Sequence, residues 1–245
     1  MGRSRAHGRT VGPTTVAEAF DATHDVVMVD ARGHGRSAAP AAGYGPDDHA
    51  ADLLEVVRAL DLRAPVLLGH SMGASTSLLA AARQPEVPRA IVLEDPPPSW
   101  GWGDRPAEDE RARVAEMRAR FRAMKRRTGV ELAAEQRQEA PTWQEAEIAR
   151  WVDAKQRFDL AAGAYVGATD AIDWARVLPA VRCPVLLLTG DQDAGALVGP
   201  DDVAGLRALV PQVDVVHVPG AGHGIRHDRR EAYLEAVEPF LAAVD

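Results

Sequence analysis

Five short apolar runs along the chain have the length and composition of buried β-strands. They are residues 25–29, 65–69, 90–93, 184–188 and 214–218. As a group they are rich in β-branched residues and are bounded by residues that favour turns. Continuous apolar runs of this kind predict strands of a parallel sheet that is covered by helices on both faces.

Helix-like segments lie between these runs, at residues 47–60, 72–83, 201–209 and 230–244. In the first of them Leu53, Val57 and Leu60 recur at spacings of three and four, which is the period of one helix face. Alternation of strands with helices predicts an α/β domain with a doubly wound, mostly parallel sheet.

Residues 96–174 interrupt the alternation. This segment opens with three consecutive prolines and contains all five tryptophans of the chain. Within it, residues 108–127 place apolar side chains three and four positions apart, which predicts an amphipathic helix. The arginines of that stretch alternate with acidic residues and are interpreted as a solvated helix face. We therefore predict a helical lid, 96–174, inserted into a core formed by residues 1–95 and 175–245.

Composition excludes several classes of function. The chain has 245 residues, 46% of them apolar, and a net charge of -8 without a clustered basic face, so nucleic acid is not an expected partner. Its single cysteine, Cys183, forms no internal disulfide and no thiolate zinc site, and is expected to be a small buried side chain. No run is long enough to span a membrane and no secretory signal is present, so a cytoplasmic location is expected.

The most informative motif is Gly69-His70-Ser71-Met72-Gly73, a G-x-S-x-G pattern. A predicted strand precedes it and a predicted helix follows it. This strand-to-helix turn exposes the serine above the sheet and requires small flanking residues. The free N–H groups at the start of the helix favour negative charge beside it. Ser71 is therefore the predicted nucleophile.

A serine nucleophile requires a general base, and histidine is the usual one. His223 lies in a glycine-rich loop, residues 219–224, directly after the last predicted strand. Glycines allow such a loop to bend the imidazole back towards the sheet. His223 is the predicted base, and His227, which lacks the glycine setting, is the alternative.

The third member is expected to be a carboxylate that orients the histidine. The loop after the fourth predicted strand offers Asp191 and Asp193. Asp193 is the predicted acid, and Asp191 is assigned to the turn. Glu94 and Asp95, at the end of an earlier strand, are an alternative. The loops concerned all follow the carboxyl ends of strands, where open sheets bind their ligands.

Residues 30–37 read Asp-Ala-Arg-Gly-His-Gly-Arg-Ser. Together with the motif around Ser71, they make the chain resemble the α/β-hydrolase superfamily, in particular its lid-bearing esterase and haloperoxidase-like group. The resemblance covers residues 25–95 and 175–245. It implies a serine hydrolase that cleaves an ester-type bond of a small molecule through an acyl-enzyme, without a metal or organic cofactor. It also implies that the backbone N–H of Met72 is one oxyanion donor.

The resemblance fails near the N-terminus. In the family the second oxyanion donor follows a His-Gly pair at the end of the third strand. Here that pair would be His7-Gly8, with Arg9 as the donor, but residues 1–6 do not form an apolar strand. The chain is therefore expected to lack residues that a full family member has. The alternative function is a non-catalytic, ligand-binding member of the same fold.

Overall fold

The computed structural model describes residues 15–21, 23–101, 107–168 and 172–244. Across these residues there is one sheet of four parallel strands in the order β1-β2-β3-β4. The strands are β1 (Val66–His70), β2 (Ala90–Glu94), β3 (Val185–Thr189) and β4 (Val213–His217). They coincide with four of the five predicted apolar runs to within one residue at each end.

Ten α-helices are present in the described part of the chain. They are α1 (Thr15–Phe20), α2 (Pro46–Ala59), α3 (Met72–Arg83), α4 (Ala107–Lys125), α5 (Gly129–Glu139), α6 (Glu145–Arg157), α7 (Trp174–Val177), α8 (Pro200–Leu209), α9 (Ile225–Asp228) and α10 (Arg230–Val244). The four predicted core helices are confirmed, with shifts of at most one residue at their ends. Over the described ranges, none of these helices combines the length and apolarity that a bilayer crossing requires.

The two faces of the sheet are buried by different helices. Successive strand residues point to opposite faces. On one face Ile91 and Leu187 pack in a cluster with residues of α2, α3, α7 and α8. On the other face Val92 and Leu186 pack against α1 and α10. This arrangement confirms the predicted α/β fold with a parallel sheet, and Cys183 is buried in the first cluster as expected.

The predicted strand at residues 25–29 is not a strand in the structure. Its side chains Val26, Met28 and Val29 are exposed. A β-strand exists through hydrogen bonds to a neighbouring strand, and within the described residues β1 pairs only with β2. Leu68 of β1 is itself 41% exposed. An apolar run without a partner strand therefore remains irregular.

The described part of residues 96–174 is helical, as the absence of strand patterns predicted. It contains α4, α5, α6 and a 3₁₀ helix, Leu160–Gly167. Phe121 of α4 packs against Phe158 with ring centroids 5.0 Å apart. Phe158 in turn lies in a small apolar cluster with Tyr44, which follows the 30–37 loop. The segment is therefore anchored on the core, and its action as a lid stays a prediction.

His49 of α2 is a buried histidine whose environment predicts a pH-dependent stability. Its ring lies edge-on to Tyr165, 5.2 Å away. Burial, followed by the nearby His34 and Arg32, lowers the pKa of His49 from 6.5 to about 4, against the opposing effect of Asp52. A histidine with a lowered folded-state pKa stabilises the fold above its unfolded-state pKa, and this stabilisation is lost as the pH falls from 6.5 towards 4.

We therefore expect His49→Phe, which keeps an aromatic ring beside Tyr165, to reduce the acid sensitivity of the protein. Between pH 7 and pH 5 the wild type should lose about 2 kcal/mol more unfolding free energy than the variant. Urea unfolding at the two pH values measures the difference. Equal losses in both proteins would show that His49 is not held neutral by the fold.

Candidate active site

Ser71 occupies a sharp turn between β1 and α3. Its backbone has φ 52° and ψ −119°, in a region that residues with a Cβ rarely adopt. The turn is held because the Ser71 N–H donates to the Glu94 carbonyl at 2.9 Å. A strained serine at a strand-to-helix turn is the geometry of a nucleophile elbow.

The glycines of the motif differ in their structural role. A Cβ added at Gly69 would lie 2.3 Å from the carbonyl carbon of Gly73, so no side chain fits where the strand and helix cross. A Cβ added at Gly73 would meet no described atom within 4 Å. The predicted need for a small residue therefore holds for Gly69, whereas packing within the described residues does not require Gly73.

His223 lies in the loop that connects β4 to α9. Its Nδ1 is 2.7 Å from Oδ2 of Asp95, which is the residue directly after β2. The imidazole is 36% exposed, whereas the carboxylate of Asp95 is fully buried. The imidazole thus has one edge held by a buried anion and remains accessible.

The structure brings Asp95, and not the predicted Asp193, to His223. Asp193 is exposed in a 3₁₀ turn, Gln192–Ala194, and no hydrogen bond joins it to His223 among the described residues. The turn directs this carboxylate to solvent. Strand β2 lies between β1 and β3, so its carboxyl end places Asp95 near both the elbow and the histidine loop.

The buried carboxylate of Asp95 is compensated by other donors. The N–H of Leu197 donates to both oxygens, at 3.1 and 2.8 Å, and the N–H of Val198 donates at 3.0 Å. Buried charges are tolerated when hydrogen bonds replace the lost water. Asp95 also has a positive φ of 41°. Strain at a non-glycine residue is typical of functional positions.

The other two candidate carboxylates have different partners. Glu94 accepts hydrogen bonds from the backbone N–H and the Nη1 of Arg226, at 2.9 and 2.7 Å. Asp191 pairs with His217 at 2.9 Å and accepts from the Gly220 N–H at 2.7 Å. The Gly220 hydrogen bond is the main reason that the pKa of Asp191 lies below 3.8. These side-chain contacts join Asp191 to the end of β4 and the loop after it, and its role in its own turn stays a prediction.

His227, the alternative base, is enclosed by the helical segment. Its ring is 4.1 Å from that of Trp143, and its Nδ1 is 3.4 Å from an oxygen of Glu147. Burial, followed by the charge of Arg226, lowers its pKa to about 4. A base of such low pKa beneath an aromatic ring is poorly suited to take a proton from serine near neutral pH.

Of the two predicted oxyanion donors, the structure describes Met72 but not Arg9. Met72 is the first residue of α3, where the backbone N–H has no acceptor within the helix. Its N–H follows Ser71 directly, which is the position predicted for one of the two oxyanion donors. His7-Gly8 and Arg9 lie outside the described residues. Within the described ranges, no group of three or more His, Cys, Asp or Glu side chains is arranged to hold a metal ion.

Asp95 was only an alternative in the sequence prediction, because two loops after neighbouring strands both contain aspartates. The available signal was its place just beyond the apolar run at residues 90–93, from which only Glu94 separates it. That signal identifies a buried strand end but does not say which acidic side chain faces His223.

Comparison with known proteins agrees with this geometry. The model of the α/β-hydrolase fold family matches residues 8–229. The chain is 32% identical to N-formylmaleamate deformylase of Pseudomonas putida, over 92% of this chain and 82% of the relative. It is 30% identical to 2-(acetamidomethylene)succinate hydrolase of Mesorhizobium japonicum, over 89% of this chain and 78% of the relative.

A solved structure supports the same conclusion. The crystal structure of an N-formylmaleamic acid deformylase from Pseudomonas putida superposes with a TM-score of 0.72 at 30% identity, covering 91% of this chain and 84% of that one. The parallel sheet, the turn at Ser71 and these similarities all indicate the same family. This chain belongs to the α/β-hydrolase fold family.

Proposed function

We propose that this chain is a serine hydrolase in which Ser71 is the nucleophile, His223 the general base and Asp95 the residue that orients His223. The observation that carries the proposal is the 2.7 Å contact between His223 Nδ1 and the buried Asp95. It lies beside an elbow that holds Ser71 at a strained φ of 52°. Orienter, base and nucleophile are the three roles that such catalysis requires.

The chemistry follows from these roles. Since Asp95 accepts from Nδ1–H, the Nε2 of His223 carries a lone pair that takes the Ser71 proton. The Ser71 oxygen then attacks the substrate carbonyl, and the Met72 N–H stabilises the negative charge that develops on the carbonyl oxygen. The imidazolium returns its proton to the leaving group. Water, activated by the same base, releases the acyl group and restores Ser71.

The proposed substrate is a small molecule with an ester or amide carbonyl. The resemblance to the α/β-hydrolase superfamily implied an ester-type bond. Two relatives match most of this chain, and their names describe a deformylase of an N-formyl compound and a hydrolase of an acetamido compound. N-formyl and N-acetyl amides therefore stand beside acyl esters as the first compounds to assay, since one triad serves both bonds.

Covalent labelling tests the proposal without knowledge of the substrate. We expect a fluorophosphonate probe to label the wild type at Ser71, because the activated oxygen attacks phosphorus as it attacks a carbonyl. Ser71→Ala should abolish labelling, and His223→Ala should slow it by at least about a thousandfold. Mass spectrometry of the labelled peptide identifies the site.

His227→Ala is the matched control, because it removes the alternative histidine, which lies four residues after His223 in α9. Its labelling rate should stay within about threefold of the wild type. A folded wild-type protein that is not labelled would favour the ligand-binding alternative. Loss of labelling in His227→Ala but not in His223→Ala would reassign the base.

A further inference from the structure

The His70 side chain joins the turn at Ser71 to the loop that contains His223. His70 is the last residue of β1 and directly precedes Ser71. Its Nε2 is 2.7 Å from the backbone carbonyl oxygen of His223, and the two rings are 4.5 Å apart. The residue therefore contacts the base through its backbone, on a different atom from the one that Asp95 contacts.

The contact determines which nitrogen of His70 carries the proton. A carbonyl oxygen only accepts hydrogen bonds, so the Nε2 must donate. Burial, followed by the positive charge of Arg226, lowers the pKa of His70 well below 6.5. The ring is consequently neutral at pH 7, with its proton on Nε2 and a lone pair on Nδ1.

We propose that His70 is a positioning residue, whose Nε2–H holds the His223 carbonyl so that the imidazole stays aimed at Ser71. The inference rests on the proposed roles of Ser71 and His223. Asp95 holds the ring at Nδ1, but one hydrogen bond to a ring edge leaves the ring free to pivot about that bond. A second contact, on the backbone of the same residue, removes that freedom.

The backbone on the other side of His223 is held in a comparable way. The N–H of Gly222 donates to Oδ2 of Asp228 at 2.9 Å, and Oδ1 of Asp228 accepts from Trp143 Nε1 at 3.1 Å. Asp228 therefore ties the base loop to the helical segment, whereas His70 ties it to the elbow. Because His70 directly precedes Ser71 in the chain, its contact relates the base to the position of Ser71.

Two variants of matched shape test the proposal. His70→Gln places an amide N–H near the position of Nε2, and His70→Met has a similar length but no donor. We expect fluorophosphonate labelling of Ser71 to stay within about threefold of wild type in His70→Gln and to slow by about 10- to 100-fold in His70→Met, as expected when a catalytic group is displaced slightly. With p-nitrophenyl acetate, kcat should fall in His70→Met while KM stays unchanged.

The possible outcomes separate the two proposals. Equal rates in the two variants and the wild type would overturn the role of His70 alone, because a space-filling residue does not require a donor. A folded wild type without labelling would overturn the proposed function and, with it, this inference. If His70→Met does not fold, ¹⁵N NMR of the wild type decides: an Nε2–H tautomer at pH 7 supports the proposal, and an Nδ1–H tautomer or an imidazolium overturns it.

Discussion

Asp95→Asn is expected to lower kcat by about ten-thousandfold while leaving the fold intact. The amide has the size of the carboxylate, but it carries no charge to stabilise the imidazolium and its NH₂ group favours the wrong tautomer of His223. Hydrolysis of p-nitrophenyl acetate at saturating concentration measures the loss. A thermal melt of the same preparation shows whether the variant is folded.

Asp193→Asn is the matched control for this prediction. Asp193 is exposed and forms no hydrogen bond or ion pair with His223 among the described residues, so its replacement should change kcat by less than about twofold. A large loss of activity in Asp193→Asn, with Asp95→Asn nearly unaffected, would show that Asp193 and not Asp95 orients His223, and would contradict the geometry of this site.

Glu94→Gln is expected to destabilise the protein by about 3–5 kcal/mol, because it leaves a guanidinium with a partly buried side chain without its counter-charge. Glu94 is fully buried and binds Arg226 at both of its oxygens. The Arg226 side chain is 23% exposed, so water compensates only in part. Urea unfolding at pH 7 measures the loss of unfolding free energy.

Two controls show whether the loss of unfolding free energy in Glu94→Gln comes from the burial of the Glu94–Arg226 pair or would follow the loss of any ion pair. Glu55→Gln removes one partner of an exposed pair with Arg58, whose side chains are 67% and 61% exposed, and should cost less than about 1 kcal/mol. Combining Glu94→Gln with Arg226→Met should recover part of the loss, since no unpaired charge remains. Similar losses for Glu94→Gln and Glu55→Gln would show that water reaches the Glu94 site.

The identity of the acid illustrates the limit of sequence reasoning at this site. Asp95 and Asp193 both follow apolar runs of nearly equal length, and the chain order of serine, acid and histidine is the same with either residue. The choice depends on a distance between residues 128 positions apart, which a hydrogen bond of 2.7 Å establishes. Spacing along the chain carries no information about such a contact.

The apolar run at residues 25–29 shows a different limit. Its composition is that of a strand, yet it is irregular and exposes Val26, Met28 and Val29. Strand formation is a property of pairs, because each backbone group needs a partner on the adjacent strand. A hydrophobic pattern reports the tendency to be buried but not the presence of the neighbour.

The sequence by itself determined the local features of this protein: four strands, the core helices, and the glycine-flanked turn at Ser71. Each depends on hydrophobic period or backbone sterics within a few residues. Only the tertiary structure decided that Asp95 meets His223, that Glu94 is committed to Arg226, and that His70 reaches the His223 carbonyl. These contacts join residues that more than a hundred positions separate, and only the packing of parallel strands side by side brings them together.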